Sequence, residues 1–153
     1  LTSNGFEILS IKNIWNDYII SVEVVRREPL NVEIFNKKFT FIKASLNDYL
    51  DEINANKTVI WGAGHQALTV ISLSNIKNKI NYIVDSATFK QNKYTPESHL
   101  LINNPDYMIK DKPESIIVMA AGFSDEIVKI INAKYPFIQN IAVLREDNLE
   151  IIK

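Results

Sequence analysis

Apolar and polar positions change period along the chain, and each change marks a different kind of element. From Gly5 to Ile11 and from Tyr18 to Val25 the alternation has a period of two. In the second run Tyr18, Ile20, Val22 and Val24 share one face, as a half-buried strand requires. Lys12 to Asp17 join the runs, so residues 1–29 are predicted to form a β-hairpin, ended by Pro29, which cannot donate to a ladder. A lone hairpin is marginal in water, so this one is expected to add to a sheet elsewhere. From Asn31 to Asn54 the apolar residues Val32, Phe35, Phe39, Ile42, Leu46, Tyr49 and Ile53 fall at alternating steps of three and four, which predicts a long amphipathic linker helix within residues 30–57. Its stripe suits packing on a neighbouring domain or a dimer seam. Asn54-Ala55-Asn56-Lys57 closes it and marks a boundary.

From Thr58 onward strands alternate with helices. Val59–Trp61, Ile80–Val84, Ser115–Ala121 and Ile141–Leu144 read as buried strands. Leu68, Ile71 and Leu73 supply the apolar face of a first helix, Asn104 and Pro105 open a short one ending near Ile109, and Ser124 is placed to cap a third, with Asp125 and Glu126 in its first turn. Residues 86–102 read as an extended loop, and the tail from Glu150 to Lys153 is expected to fray. The fold class is therefore α/β: a Rossmann-like parallel sheet with flanking helices over residues 58–149, right-handed crossovers, and the hairpin and linker helix in front.

The stretch Val59-Ile60-Trp61-Gly62-Ala63-Gly64-His65-Gln66-Ala67 runs from a strand through a glycine turn into a helix. Its spacing Gly62-x-Gly64-x-x-Ala67 fits the G-x-G-x-x-G/A fingerprint: a tight turn, a close backbone approach to a ligand, and a helix seated near the sheet. A helix opening there offers unpaired N–H groups and partial positive charge to a phosphate. Asp85 ends the second strand where an acidic residue meets a ribose or sugar hydroxyl, or else caps the following loop. His65 is placed to donate to a phosphate or to sit in solvent at the helix start. Lys90 and Gln91 lie on the long loop, where ligand groups concentrate; Tyr94 and His99 have weaker claims.

Composition narrows the chemistry. A net charge of −1 with scattered Lys and Arg gives no basic field, so nucleic acid is not an expected partner. No cysteine means no disulfide framework, thiolate metal site or cysteine nucleophile, in keeping with a cytoplasmic setting, and two histidines make a His-based metal site improbable. No apolar run has the length to span a bilayer. The opening Leu1-Thr2-Ser3 lacks a methionine, so a piece of a longer protein is expected.

Taken together, Gly5-Phe6-Glu7-Ile8 with Arg26-Arg27, Trp61 to Ala67, Val84-Asp85-Ser86-Ala87-Thr88-Phe89-Lys90-Gln91, Tyr94-Thr95-Pro96, His99, and Val118 to Ala121 with Ser124-Asp125-Glu126 resemble the C-terminal domain of the S-adenosylmethionine-dependent sugar C-methyltransferase family. The first residues resemble the hairpin that closes the preceding methyltransferase domain. The resemblance implies a nucleotide-linked sugar as substrate, bound between that upstream domain and this one. Gly62, Gly64, His65, Gln66, Asp85, Lys90 and Gln91 are then the substrate-binding candidates. It also implies that S-adenosylmethionine is bound mainly upstream, that no catalytic residue, metal or cofactor belongs to this chain, and that this piece alone is inactive. Two positions depart from the pattern: many relatives carry Lys where this chain has Gln66, and Gly where it has Asn92. A complete small methyltransferase is disfavoured, because its hairpin follows the fifth strand and here it precedes the first. The alternatives are an NAD(P)- or nucleotide-binding Rossmann domain, for which no proton-transfer constellation is apparent, and a non-catalytic interaction module using the Asn31–Asn54 stripe.

Overall fold

A computed structural model describes residues 1–28, 31–53 and 57–153; Pro29 and the Asn54-Ala55-Asn56 boundary lie outside the described residues. The chain divides into two compact units, Leu1–Ile34 and Phe35–Lys153. In the first, β1 (Phe6–Ile14) pairs antiparallel with β2 (Ile19–Arg26), with a bulge between Ile8 and Ser10. β1 runs three residues past the predicted Ile11, and the turn is tighter than expected. Trp15, Asn16 and Asp17 all take left-handed backbone angles there. The hairpin is a two-stranded sheet of its own, with Leu9, Ile11, Trp15, Tyr18 and Ile20 exposed.

The linker helix α1 (Glu33–Ile53) is continuous and belongs to the second unit from Phe35 onward. Only its C-terminal half is buried, through Ile42, Leu46, Tyr49 and Leu50, while Phe35 is exposed. After it come β3 (Thr58–Trp61), α2 (His65–Ser74), β4 (Tyr82–Val84), β5 (Lys93–Tyr94), β6 (Leu101–Asn103), α3 (Tyr107–Asp111), β7 (Ser115–Val118), α4 (Ser124–Lys134), β8 (Asn140–Leu144) and β9 (Leu149–Ile151). They build a seven-stranded sheet ordered β5-β6-β4-β3-β7-β8-β9, parallel through its five central strands and antiparallel at both edges.

Alternation along each central strand sends side chains to two cores, which is why these strands read as unbroken apolar runs. Ile60, Ile83 and Ile117 pack with α1 and α2; Val59, Trp61, Val84, Ile116 and Val118 pack with Met108, Ile131 and Tyr135 from the α3 and α4 side. The buried face of α2 is Ala67, Val70, Ile71 and Ser74, whereas Leu73, expected on it, is exposed because it lies off that helical stripe.

Two further expectations are corrected. The loop of residues 86–102 contains a single 3-10 turn and both strands of the β5–β6 edge, and β6 is pinned in parallel to β4. The tail does not fray: a turn at Arg145–Asn148 returns it as β9, and Ile152 donates to the Ile141 carbonyl.

Candidate functional site

Chain order in the parallel part is third-second-first-fourth-fifth, counting β3 as first, so the direction of winding reverses between β3 and β7. Helices leave the two sides of such a point in opposite directions, and a crevice opens beyond the carboxyl ends of the two strands. A cavity of about 370 Å3 lies there, within the size range of small-molecule sites.

Gly62, Gly64, His65 and Gln66 from the β3–α2 turn form one part of its lining, Asp85, Ser86 and Lys90 another, and Met119, Ala120, Ala121 and Phe123 a third. Six of the seven substrate-binding candidates thus meet around one space. The seventh, Gln91, does not line it; its side-chain amide donates to the Asp85 carbonyl at 2.9 Å. Tyr94 stands on the edge strand β5 and His99 in a left-handed turn, neither of them in the lining.

The two glycines have different reasons to be glycine. Gly62 has φ +119°, and a Cβ there would strike the Met119 carbonyl where β7 passes close by; its need is internal to the fold. Gly64 has φ −93°, which any residue adopts, and no atom lies within 4 Å of where its Cβ would be. Nothing among the described residues requires glycine at 64, yet its backbone lines the cavity. It is also the N-cap of α2, which no side chain caps, and the N–H groups of Gly64 and His65 meet no acceptor among the described residues. Ala67, fully buried, lets the helix sit against the sheet.

Asp85, the acidic end of β4, is committed to the protein. Its Oδ2 accepts the Ala63 N–H at 2.7 Å and the Lys90 ammonium at 3.0 Å, and its Oδ1 accepts the Ala87 N–H at 2.8 Å. Burial pushes its pKa up, but the Ala87 and Ala63 amides and the Lys90 charge outweigh burial and hold the carboxyl below the ordinary range. Of the two roles open to it, the structure shows the loop cap. Three N–H donors engage this carboxylate, two at Oδ2 and one at Oδ1, and Asp85 also lines the cavity.

Gln66 carries a buried side-chain oxygen with no hydrogen-bond partner among the described residues, beside the cavity. Asn92 has φ 60°, a left-handed conformation that asparagine tolerates better than other non-glycine residues.

The β7–α4 wall was not among the sequence candidates. Its signal was Gly122 just past the fourth strand of a doubly wound order, the strand that must end beside the glycine turn. Nor does Ser124 cap α4: the N-cap is Phe123, and the Ser124 side chain is buried. No helix among the described residues is long and apolar enough to cross a membrane.

Compared with known proteins, residues 25–138 match the family model described as the C-methyltransferase C-terminal domain. No curated protein sequence matches. Solved structures that resemble the chain include UDP-D-quinovosamine 4-dehydrogenase from Vibrio fischeri, at 17% identity and a TM-score of 0.46, over 63% of this chain and 93% of that one.

Proposed function

Because this chain belongs to the C-methyltransferase C-terminal domain family, we propose that it is the substrate-holding part of a cytoplasmic C-methyltransferase that acts on a nucleotide-linked sugar. The observation that carries this reading is Gly64, a glycine without internal need, set at an uncapped helix start in the wall of the switch-point cavity. Uncapped N–H groups at such a position suit a diphosphate, and Lys90, already drawn to the rim by Asp85, adds positive charge beside them. The unpartnered Gln66 oxygen suits a sugar hydroxyl. His65 completes the phosphate side, Gly62 lines the cavity with its own N–H donated to the Val84 carbonyl, and Gln91 acts behind it by holding the Asp85 carbonyl.

In this reading the methyl donor, S-adenosylmethionine, and the groups that move protons belong to an upstream domain. This chain binds, orients and excludes water. Two surfaces support such a partner: the exposed apolar strands of the hairpin, which suit the closing edge of another sheet, and the exposed end of α1, where Phe35 and Phe39 stack at 6.4 Å. Leu46 is fully buried, so that surface is limited to the first turns of the helix.

Isothermal titration of the 153-residue chain and of a protein containing the upstream domain, each with uridine- and thymidine-diphosphate sugars, tests the assignment. Both are expected to bind, and Gly64→Ala to weaken both without unfolding either. Binding by the longer protein that is indifferent to Gly64→Ala would remove the role given to this cavity.

A further inference from the structure

The turn after β7 breaks three local preferences within four residues, and all three bear on the cavity wall. Ala121 has φ 47°, a left-handed conformation that costs a residue with a Cβ. Phe123 occupies the N-cap of α4, a position that favours Ser, Thr, Asp or Asn, and no side chain caps the helix. Ser124, the residue chemically suited to that role, is displaced by one position into the helix and is 1% exposed, with a hydroxyl that meets no partner among the described residues. Local rules that fail together cluster at functional sites.

What this arrangement presents is the ring of Phe123. Phenylalanine is normally buried, but this ring is 71% exposed, pairs with no other ring among the described residues, and lines the same cavity as Gly64 and His65. The 3-10 turn over Ala121–Phe123 fixes its backbone, with the Phe123 N–H donating to the Ala120 carbonyl at 3.0 Å. An exposed, unstacked aromatic ring at a cavity that also offers free amides and a lysine complements a ligand with one anionic part and one flat heteroaromatic part.

We propose that Phe123 is the nucleobase-recognising residue of this site, stacking on the base while the Gly64–His65 turn holds the diphosphate. The assignment rests on the reading of the cavity as a nucleotide-sugar site and adds to it an orientation: base toward the β7–α4 turn, phosphates toward the start of α2. It also sets the kind of selectivity. Stacking reads the face of a base and not its edge, so the site distinguishes nucleotides from bare sugar phosphates more sharply than one pyrimidine from another.

Titrating the 153-residue chain with uridine diphosphate and, separately, with inorganic pyrophosphate tests this in wild type, Phe123→Ala, Phe123→Leu and Phe123→Tyr. The expected result is a loss of about 5- to 150-fold in affinity for uridine diphosphate in the Ala variant, with a comparable loss in Leu, retention in Tyr, and unchanged pyrophosphate affinity throughout. Equal affinity of wild type and Phe123→Ala for uridine diphosphate overturns the stacking role, as does an equal loss for both ligands, which would make Phe123 a support for the turn. If wild type binds neither ligand, the nucleotide-sugar reading itself falls, and the stacking role with it.

Discussion

Replacing Asp85 by asparagine isolates the contact that ties the two halves of the site together. The substitution keeps the shape of the side chain but exchanges one acceptor oxygen for a donor and removes the charge. In the native chain three N–H donors converge on this carboxylate at 2.7, 2.8 and 3.0 Å, on a residue 9% exposed. Asparagine can still accept from one loop; at the other, its NH2 group meets an amide donor. Hydrogen bonds to charged groups are worth about 1.5–3 kcal/mol, and an unsatisfied buried donor costs about 1–3 kcal/mol. Lys90, on the partly exposed side, contributes less. A loss of roughly 2–4 kcal/mol follows at neutral pH, a large share of the ~5–15 kcal/mol typical of a domain.

The pH dependence sharpens this test. Folding depresses the Asp85 pKa, so between its folded value and the ordinary unfolded one the unfolded chain binds more protons, and stability rises with pH. The stabilisation is complete above the usual aspartate pKa of about 3.9 and is lost as pH falls through the lower folded value. Urea unfolding of both proteins from neutral pH down to the acid limit of the native state should show two curves that converge on the acid side. Curves that stay parallel would refute the claim that the charged form of Asp85 is what the fold uses.

Four further substitutions probe the framework. Gly62→Ala should lower stability by about 2–4 kcal/mol, by analogy with other strain and overpacking effects, because its Cβ meets the Met119 carbonyl and its φ is +119°; chemical denaturation measures it. Leu46→Ala should cost about 2–5 kcal/mol and Phe35→Ser no more than about 0.5 kcal/mol, since Leu46 is fully buried and Phe35 is 63% exposed; equal midpoints would contradict the burial of only half of α1. Ala121→Gly should raise the melting temperature slightly, with relief of about 1–2 kcal/mol in the left-handed position partly offset by the ~0.5–1 kcal/mol entropic cost of glycine. A fall in melting temperature would show that Ala121 is not strained.

How far the sequence reaches depends on whether the determining contact is local. Val59 to Ala67 could be read as strand, turn and helix because each step is set by neighbours in the chain, and the unbroken apolar runs at residues 59–61 and 116–118 identified strands buried on both faces. Leu101–Asn103 carries too few residues to show a period, and it becomes a strand only because β4 lies alongside it. The tail is similar: Leu149–Ile151 is held by pairing with β8, not by its own propensity. At the site, the glycine turn and the acidic strand end were apparent, but the amides that Asp85 binds were not, since Ala63 and Ala87 reach it only after two loops close. Phe123 and Ser124 went the other way, because tertiary packing reversed the order that capping chemistry favours.

The most direct test of the central claim is heteronuclear NMR of the chain during titration with a nucleoside-diphosphate sugar, following the backbone amides. The account predicts that the Gly64 and His65 resonances move furthest, together with those of Ala120 to Phe123, and that Gly64→Ala shifts the response to higher ligand concentration while leaving the rest of the spectrum in place. Saturating binding that leaves the Gly64 and His65 amides unmoved would contradict it.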